Sequence, residues 1–248
     1  MSKKVEWIVG WHAVQSLLET DFSRVVELFV AEDRDDARAR QLLAFINEQG
    51  LTIQQVSRKT LDKLTDHSSH QGIAARCKPN PLFNEHWLYE TLQSIENPLI
   101  LILDGVQDPH NLGACLRSAN AAGAFAVIVP QDRAVGLTPT VRKTACGAAE
   151  HTPLIQVTNL ARCLRTLQEM DVQLIGLAGE TEKTLYQVPL QGKIALILGA
   201  EDKGLRRLTR EHCDFLVKIP MVGEVDSLNV SVATGICLFE VVRQRILS

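Results

Sequence analysis

LILILDGVQDPHNLGACLR, residues 99–117, is an apolar run followed by a polar turn and a segment rich in small residues. Similar apolar runs recur at 125–129, 173–177, 194–198 and 215–219. Helical patterns lie between or after them, at 112–122, 159–169 and 229–246. Apolar runs that are almost continuous are typical of strands buried on both faces of a sheet. The sequence therefore predicts an α/β fold in which helices cover a parallel sheet.

The first 78 residues show a second pattern, in which short β-branched runs alternate with helical stretches. The runs lie at 5–9, 25–30, 51–56 and 72–76, and the helical stretches at 12–19, 33–49 and 58–64. The segment KPNP, residues 78–81, follows, and its prolines remove amide donors and favour extended backbone. We predict a small α/β domain at 1–78, a linker with a lead-in helix at 79–98, and a larger domain at 99–248.

The composition excludes several classes of protein. The 248 residues contain 26 Lys and Arg against 29 Asp and Glu, a formal net charge of −3. A basic, histone-like protein is therefore excluded. The six cysteines include no CxxC pair and no Cys/His cluster at zinc spacing, which predicts no metal. Without a signal-peptide pattern or an apolar run of about 18 residues, the chain is expected to be soluble and cytoplasmic, with no membrane partner.

The loop after the run at 99–103 is the first candidate site. Asn111 is expected to cap the helix that follows. Arg117 lies four residues beyond Gly113, so it is expected on the same helix face, pointing across a surface that the glycine leaves open. The alternative is that Asn111 is only a cap and Arg117 only a surface charge.

The second candidate loop is GAEDKG, residues 199–204. Its glycines allow backbone amides to face a ligand, and Glu201 can accept a hydrogen bond or a proton. The spacing matches neither a dinucleotide-binding GxGxxG nor a GK[ST] phosphate loop. A basic cluster follows, which predicts contacts to RNA phosphates or, alternatively, a solvated helix face. Its members are Lys203, Arg206, Arg207 and Arg210.

The third candidate is the segment at 219–235. Ser227 and Asn229 are both suitable N-cap residues, and the helix after them is apolar nearly all round, so it is expected to be buried. Polar residues at the start of a buried helix need partners. A ligand bound to the amides of that turn would supply them, and mutual capping is the alternative.

These three motifs, taken in order, resemble those of the SpoU, or TrmH-like, family of RNA ribose 2′-O-methyltransferases in the SPOUT superfamily. The matching segments are NLGACLR at 111–117, LGAEDKG at 198–204, IPM at 219–221 and SLNVS at 227–231. GWHAV at 10–14 and HQGI at 70–73 resemble the ribosomal-protein-like RNA-binding domain of one branch. That branch methylates a guanosine in the peptidyl-transferase P loop of bacterial 23S rRNA.

The resemblance implies the fold and the cofactor of the larger domain. The fold is implied to be a trefoil-knotted parallel-sheet domain, which topology rules alone would have excluded. The active site is implied to be completed across a homodimer, and the methyl donor is S-adenosylmethionine. The residues implied to hold this cofactor are Gly199, Ala200, Ile219, Met221 and Leu228.

The resemblance also implies catalytic roles. Arg117 is implied to polarise the ribose hydroxyl, or to accept its proton directly or through the phosphate. Because arginine side chains keep their proton in proteins, an electrostatic role is favoured. Asn111 is implied to fix the first helix, Glu201 to orient Arg117 or the nucleotide, and Ser227 with Asn229 to shape the pocket.

Two other functions are compatible with the same residues. A relative acting on tRNA or on another rRNA ribose would keep the catalytic set, and only the N-terminal domain argues against it. A ribosome-assembly factor that binds RNA without catalysis would have no need for all of the motif residues. The sequence therefore favours a 23S rRNA methyltransferase without a DNA partner.

Overall fold

The computed structural model describes residues 5–33, 40, 42, 46, 52–78, 83–132, 134–200 and 203–247. The helix predicted at 33–49 lies almost entirely outside the described residues, as do Glu201 and residues 79–82 of the predicted linker. None of the described helices is both long enough and apolar enough to cross a membrane.

The N-terminal part is a four-stranded sheet with two described helices. Its strands are β1 (Glu6–Val9), β2 (Val25–Ala31), β3 (Ile53–Val56) and β4 (Ile73–Cys77), in the order β1-β4-β2-β3. Its helices are α1 (Trp11–Thr20) and α2 (Arg58–Leu64), and a 3₁₀ turn spans Phe22–Arg24. β4 pairs antiparallel with β1 and β2, and β3 pairs parallel with β2. The buried side chains of Ile8, Leu17 and Leu28 form part of its core.

The C-terminal part is a six-stranded sheet. Its strands are β5 (Leu99–Asp104), β6 (Ala126–Pro130), β7 (Leu154–Val157), β8 (Gln173–Leu177), β9 (Ile194–Gly199) and β10 (Phe215–Val217). Their order is β10-β8-β9-β5-β6-β7 and every neighbouring pair is parallel, so the predicted parallel sheet is confirmed. β7 was not predicted, because Gln156 interrupts its apolar run.

Seven helices of the described C-terminal residues surround this sheet. They are α3 (Glu85–Leu92), α4 (Pro109–Ala121), α5 (Pro139–Ala145), α6 (Ala148–His151), α7 (Leu160–Glu169), α8 (Arg207–Glu211) and α9 (Val230–Ile246). Side chains alternate along β5: Leu101 packs in one core with α4, α5 and α9, and Ile102 packs in another with α3 and α7. Both faces of β5 are therefore buried.

The order of the strands brings distant parts of the chain together. β9 lies between β5 and β8, both of which precede it in the sequence. The chain therefore returns to the middle of the sheet after it has supplied strands on both sides. The final helix, α9, then packs against α4. This arrangement fits the trefoil knot that the family resemblance implies.

Two sequence predictions about helices were wrong. α4 begins at Pro109, and its N-cap is Asp108, whose carboxylate accepts a hydrogen bond from the His110 amide at 3.1 Å; Asn111 therefore lies inside the helix and is not its cap. The helix α9 is not buried all round, because Val232 and Phe239 are about half exposed. An apolar sequence does not reveal which face of a helix packs against its own chain.

Candidate functional site

The first and second candidate loops meet where β5 and β9 end. Asp104, the last residue of β5, lies opposite Gly199, the last residue of β9. Because neighbouring parallel strands end at the same edge of a sheet, the loops that follow them are adjacent. They enclose a cavity of about 290 Å³, a small volume among ligand pockets. Its lining comprises Asp104, Gly105, Val106, Gln107, Asp108, Asn111, Ala200, Lys203, Gly204, Arg206 and Val230.

The carboxylate of Asp104 joins the two loops. It accepts hydrogen bonds from the Arg206 amide at 3.1 Å, from Arg206 Nε at 2.5 Å and from Thr209 Oγ1 at 2.6 Å. Its side chain is completely buried, and a buried carboxylate needs such donors. Asp104 therefore fixes the start of α8 at the end of β5. Arg206 was predicted to contact RNA, and the structure places its guanidinium on this carboxylate.

Gly199 is required by the tight turn after β9. A Cβ atom on Gly199 would lie 2.0 Å from the carbonyl carbon of Gly204. The Gly204 amide donates to the Ala200 carbonyl at 2.8 Å, which closes the turn. Gly204 has a positive φ of 58°, a conformation that glycine adopts readily. These two glycines thus serve close backbone packing, and Glu201 between them lies outside the described residues.

The first and third motifs are joined by two asparagines. The Nδ2 of Asn229 donates to Oδ1 of Asn111 at 3.0 Å. Asn229 is also the N-cap of α9, as predicted, and its Oδ1 accepts from the Ser231 amide at 2.9 Å. Ser227 precedes this cap and is exposed, and Leu228 is half-buried. The start of α9 is thereby fixed beside the first turn of α4.

Arg117 lies on the face of α4 that packs against α5. Gly113, on the same face, is so close to α5 that a Cβ atom there would lie 2.6 Å from Thr144 Cβ. The exposed side chain of Arg117 reaches the end of α5, where its Nη1 is 3.7 Å from Cys146 Sγ. The structure therefore brings Asn111 to the cavity, with Asn229 bonded to it, and places Arg117 at the α5–α6 turn instead.

The predicted cofactor residues fall into two groups. Gly199 ends β9 and Ala200 follows it. In contrast, Ile219, Met221 and Leu228 lie in the segment after β10 and are half-buried. β9 and β10 are separated by β8, so their ends are about 10 Å apart. That distance is comparable to the length of a nucleoside, and partly buried apolar side chains suit a planar base. These residues fit an adenosine-containing cofactor.

The predicted RNA-binding side chains differ in their freedom to contact a phosphate. The guanidinium of Arg210 pairs with Glu180, and that of Arg206 pairs with Asp104. Arg207 is 84% exposed, and its ion-pair partner among the described residues is Glu211, at 3.7 Å. Lys203 is exposed at the cavity edge. Lys203 and Arg207 are therefore the members of the cluster that are most available to RNA.

Sequence reasoning missed two residues that the structure places at these sites. Asp104 stood out only as a polar residue at the end of an apolar run. Cys146, the residue beside Arg117, adopts a left-handed conformation with φ 52°, and its sequence context gave no signal. Among the described residues, no group of three His, Cys, Asp or Glu side chains is placed to hold a metal ion.

Comparison with protein families accounts for both parts of the chain. Residues 98–239 match the model of the SpoU rRNA methylase family. The chain belongs to this family. Residues 7–83 match a second model, described as the substrate-binding domain of RNA 2′-O ribose methyltransferases. The SpoU match contains the cavity, the α4 motif and most of α9.

Curated SpoU relatives match over nearly their whole length. The 23S rRNA (guanosine-2′-O-)-methyltransferase RlmB of Photobacterium profundum is 58% identical over 240 residues, covering 97% of this chain and 98% of the relative. RlmB of Escherichia coli K12 is 56% identical over 240 residues, covering 97% and 99%. The SpoU methyltransferase AviRb of Streptomyces viridochromogenes, solved with AdoMet, has a TM-score of 0.80 at 22% identity, covering 98% and 91%. Its likeness supports the fold.

Proposed function

We propose that this chain transfers the methyl group of S-adenosylmethionine to the ribose 2′-hydroxyl of a guanosine in the peptidyl-transferase P loop of 23S rRNA. The observation that carries the proposal is the identity of 56–58% to curated RlmB methyltransferases, over 97% of this chain. The aligned residues include the substrate-binding domain matched at 7–83. This domain argues against the function of a family member that lacks it. We assign RNA binding to residues 1–78, the linker and lead-in helix to 79–98 and methyl transfer to 99–248.

The cofactor is proposed to bind at the ends of β9 and β10. Gly199 and Ala200 offer backbone groups there, and the half-buried side chains of Ile219, Met221 and Leu228 would cover the adenine. When bound, S-adenosylmethionine supplies an electrophilic methyl group on sulfur. The protein must then align the ribose oxygen with that methyl carbon. As the O–C bond forms and the S–C bond breaks, the hydroxyl proton would pass to an adjacent phosphate oxygen or to water.

We assign this alignment to the motif residues. Arg117 would hold the 2′-oxygen and an adjacent phosphate through charge-assisted hydrogen bonds. Asn111 and Asn229 would keep α4 and α9 in a fixed relation, which the 3.0 Å bond between them supports. Ser227, exposed beside this pair, would shape the substrate pocket, and Glu201 would orient Arg117 or the nucleotide.

RNA binding is proposed to use local rather than overall positive charge, since the chain carries a net charge of −3. Lys203 and Arg207 would contact backbone phosphates next to the cavity. Arg206 would act mainly by holding the loop through Asp104, and Arg210 would be available after release from Glu180. Replacing a Lys or Arg that contacts a phosphate with a neutral residue weakens binding to all RNA sequences and lowers the salt dependence of binding.

We also propose a homodimer that uses the exposed face of α9. Val232, Phe239 and Ile246 lie seven residues apart on this helix and are 51%, 49% and 77% exposed. Apolar side chains at this spacing lie on one face of a helix, and two copies can cover such a face symmetrically. Replacement of Phe239 by Asp should give monomers in light-scattering measurements. We also propose a cytoplasmic location, since ribosomal RNA is the proposed substrate.

The direct test is methyl transfer from labelled S-adenosylmethionine to 23S rRNA transcribed in vitro. The modified ribose is mapped by its resistance to alkaline cleavage. We expect one protected guanosine, in the P loop. Transfer to tRNA or to another ribose would support the reaction but overturn the substrate assignment. If neither naked rRNA nor a ribosomal precursor is methylated, the enzyme assignment fails and an RNA-binding assembly factor is favoured.

A further inference from the structure

Four charged side chains form a closed ring between the two sheets. Arg24 Nη2 lies 3.1 Å from Glu6 Oε2, and its Nη1 lies 2.9 Å from Glu150 Oε2. Arg142 contacts the second oxygen of each of the same two carboxylates. We call these four residues the charge ring. Positive and negative groups alternate around it, so each guanidinium bridges both carboxylates.

The ring joins elements that are far apart in the sequence. Glu6 lies in β1 and Arg24 in the 3₁₀ turn before β2, whereas Arg142 lies in α5 and Glu150 in α6. The side chains of Arg24, Arg142 and Glu150 are at most 6% exposed, and that of Glu6 is 25% exposed. Buried charges of this kind are costly when one partner is removed, so the ring constrains how the two sheets are placed.

Arg24 also holds the point where the chain leaves the four-stranded sheet. Its Nε donates to the Lys78 carbonyl at 3.2 Å, and the Lys78 amide donates to the Arg24 carbonyl at 2.8 Å. Lys78 directly follows β4. The same side chain thus fixes the end of the N-terminal sheet and its contact with α6.

A second contact between the two parts lies at the turn between α5 and α6. Gly147 in this turn has φ +93°, and a Cβ atom there would lie 2.9 Å from Ser16 Cβ, on α1. The Ser16 hydroxyl is also 2.8 Å from His151 Nε2, at the end of α6. The N-terminal helix α1 therefore rests on the α5–α6 turn.

The turn between α5 and α6 also contacts Arg117. Cys146, next to Gly147, is the residue that Arg117 Nη1 approaches at 3.7 Å. One short turn is consequently in contact with the N-terminal part through Gly147 and with the predicted catalytic arginine through Cys146.

We propose that the charge ring docks the N-terminal part on α5 and α6, and that Arg142 and Glu150 are positioning residues that set the distance between bound RNA and Arg117. This inference rests on the proposed function for its RNA substrate. An undocked RNA-binding part, connected only by the chain, would present its RNA to the methyl donor less effectively.

The test exchanges charges on one side of the junction at a time. The double variant Glu6→Arg/Arg24→Glu keeps an ion pair within the N-terminal part but opposes like charges across the junction. It also loses the Arg24 bond to Lys78 and the 3.8 Å contact with Asp21, and the quadruple variant shares this loss. Arg142→Glu/Glu150→Arg does the same from the other side. The quadruple variant restores the alternation of charge. Arg162→Glu/Glu85→Arg is the control for a charge exchange away from the junction, because this 2.9 Å pair joins α7 to α3 and not the two sheets.

Two readouts separate docking from general damage to the fold. Small-angle X-ray scattering of the full chain should show a larger radius of gyration for each double variant and recovery in the quadruple variant. The KM for RNA should rise about ten-fold or more in the double variants, with an unchanged KM for S-adenosylmethionine. The control exchange should change neither.

Unchanged dimensions and an unchanged KM for RNA in both double variants would overturn the proposal. So would a quadruple variant no closer to the wild type than Glu6→Arg/Arg24→Glu, because these two variants share the loss of the Arg24–Lys78 bond. If an exchange prevents folding, as judged by circular dichroism, Glu6→Gln at the most exposed ring position replaces it and must expand the molecule. If the wild type methylates no RNA, the proposed function fails, while scattering still decides whether the ring docks the two parts.

Discussion

Asn229 donates a hydrogen bond from Nδ2 to Oδ1 of Asn111 at 3.0 Å, joining residues 118 positions apart in the chain. The same Asn229 side chain caps α9 through the Ser231 amide. One residue therefore both caps the last helix and bonds its start to α4. The two functions can be separated by mutation, because Asn111 contributes to the second alone.

Removal of the Asn229 side chain should affect both stability and catalysis. Asn229→Ala loses the cap and the bond to Asn111, so we expect a loss of about 1 kcal/mol in unfolding free energy and a lower kcat. Asn159→Ala, which removes the matching cap of α7, should cost similar stability and leave kcat unchanged. Asn111→Ala should lower kcat with a smaller effect on stability. Equal kcat in all three variants would exclude a catalytic effect of the asparagine pair.

Arg117 is expected to act on the transition state. Arg117→Ala should lower the rate of methyl transfer in a single turnover by about 100-fold or more, with S-adenosylmethionine affinity preserved in calorimetry. Arg117→Lys should recover only part of the rate, because an ammonium group cannot form the paired hydrogen bonds of a guanidinium. Arg165→Ala, at an exposed position of α7, is the control. Normal turnover by Arg117→Ala would remove this residue from the mechanism.

Gly199 should tolerate no side chain. In Gly199→Ala the new methyl group would overlap the backbone of Gly204, so the turn must move, at a cost of about 1–3 kcal/mol. We expect a matching loss of affinity for S-adenosylmethionine, measured by calorimetry. Gly179→Ala is the control, since a Cβ atom there would meet nothing within 4 Å. Wild-type affinity in Gly199→Ala would show that this turn does not hold the cofactor.

Cys146 should be the cysteine that alkylating reagents modify first. It is exposed, whereas burial raises the pKa of the Cys77, Cys213 and Cys237 thiols to about 12, which leaves little reactive thiolate near neutral pH. Because Cys146 contacts Arg117, iodoacetamide should slow methyl transfer as it labels this site. Cys146→Ser should keep its activity after the same treatment. Activity lost equally in both proteins would place the sensitive thiol elsewhere.

Glu240 should make stability dependent on pH in acid. Hydrogen bonds from Arg243 hold the pKa of Glu240 below its ordinary value, against the opposing effect of burial. The unfolded chain therefore binds this proton first, so the stabilisation is complete above about pH 4.3 and is lost as the pH falls through the lower folded-state pKa. Urea titrations should show a flatter acid dependence for Glu240→Gln than for the wild type. Glu169→Gln, at an exposed position, should follow the wild type.

Much of the fold could be predicted because its signals are local. The strand at 173–177 and the helix at 58–64 agree with the structure at both ends, since each depends on the spacing of apolar residues within a few turns. β7 was missed because an exposed Gln156 divides its short run. The start of α4 was misplaced because Asn111 and Asp108 are both good caps, and the local signal for Asp108, which is Pro109 at the first helical position, was overlooked.

The sequence alone determined the α/β class, the parallel sheet and the family motifs, because apolar periodicity and motif spacing are properties of neighbouring residues. The tertiary structure decided which side chains meet. It gave Asn111 the partner Asn229, gave Arg206 the carboxylate of Asp104, and placed Arg117 beside Cys146. These pairs are separated by 29 to 118 positions, and strand order and helix packing, rather than local pattern, bring them together.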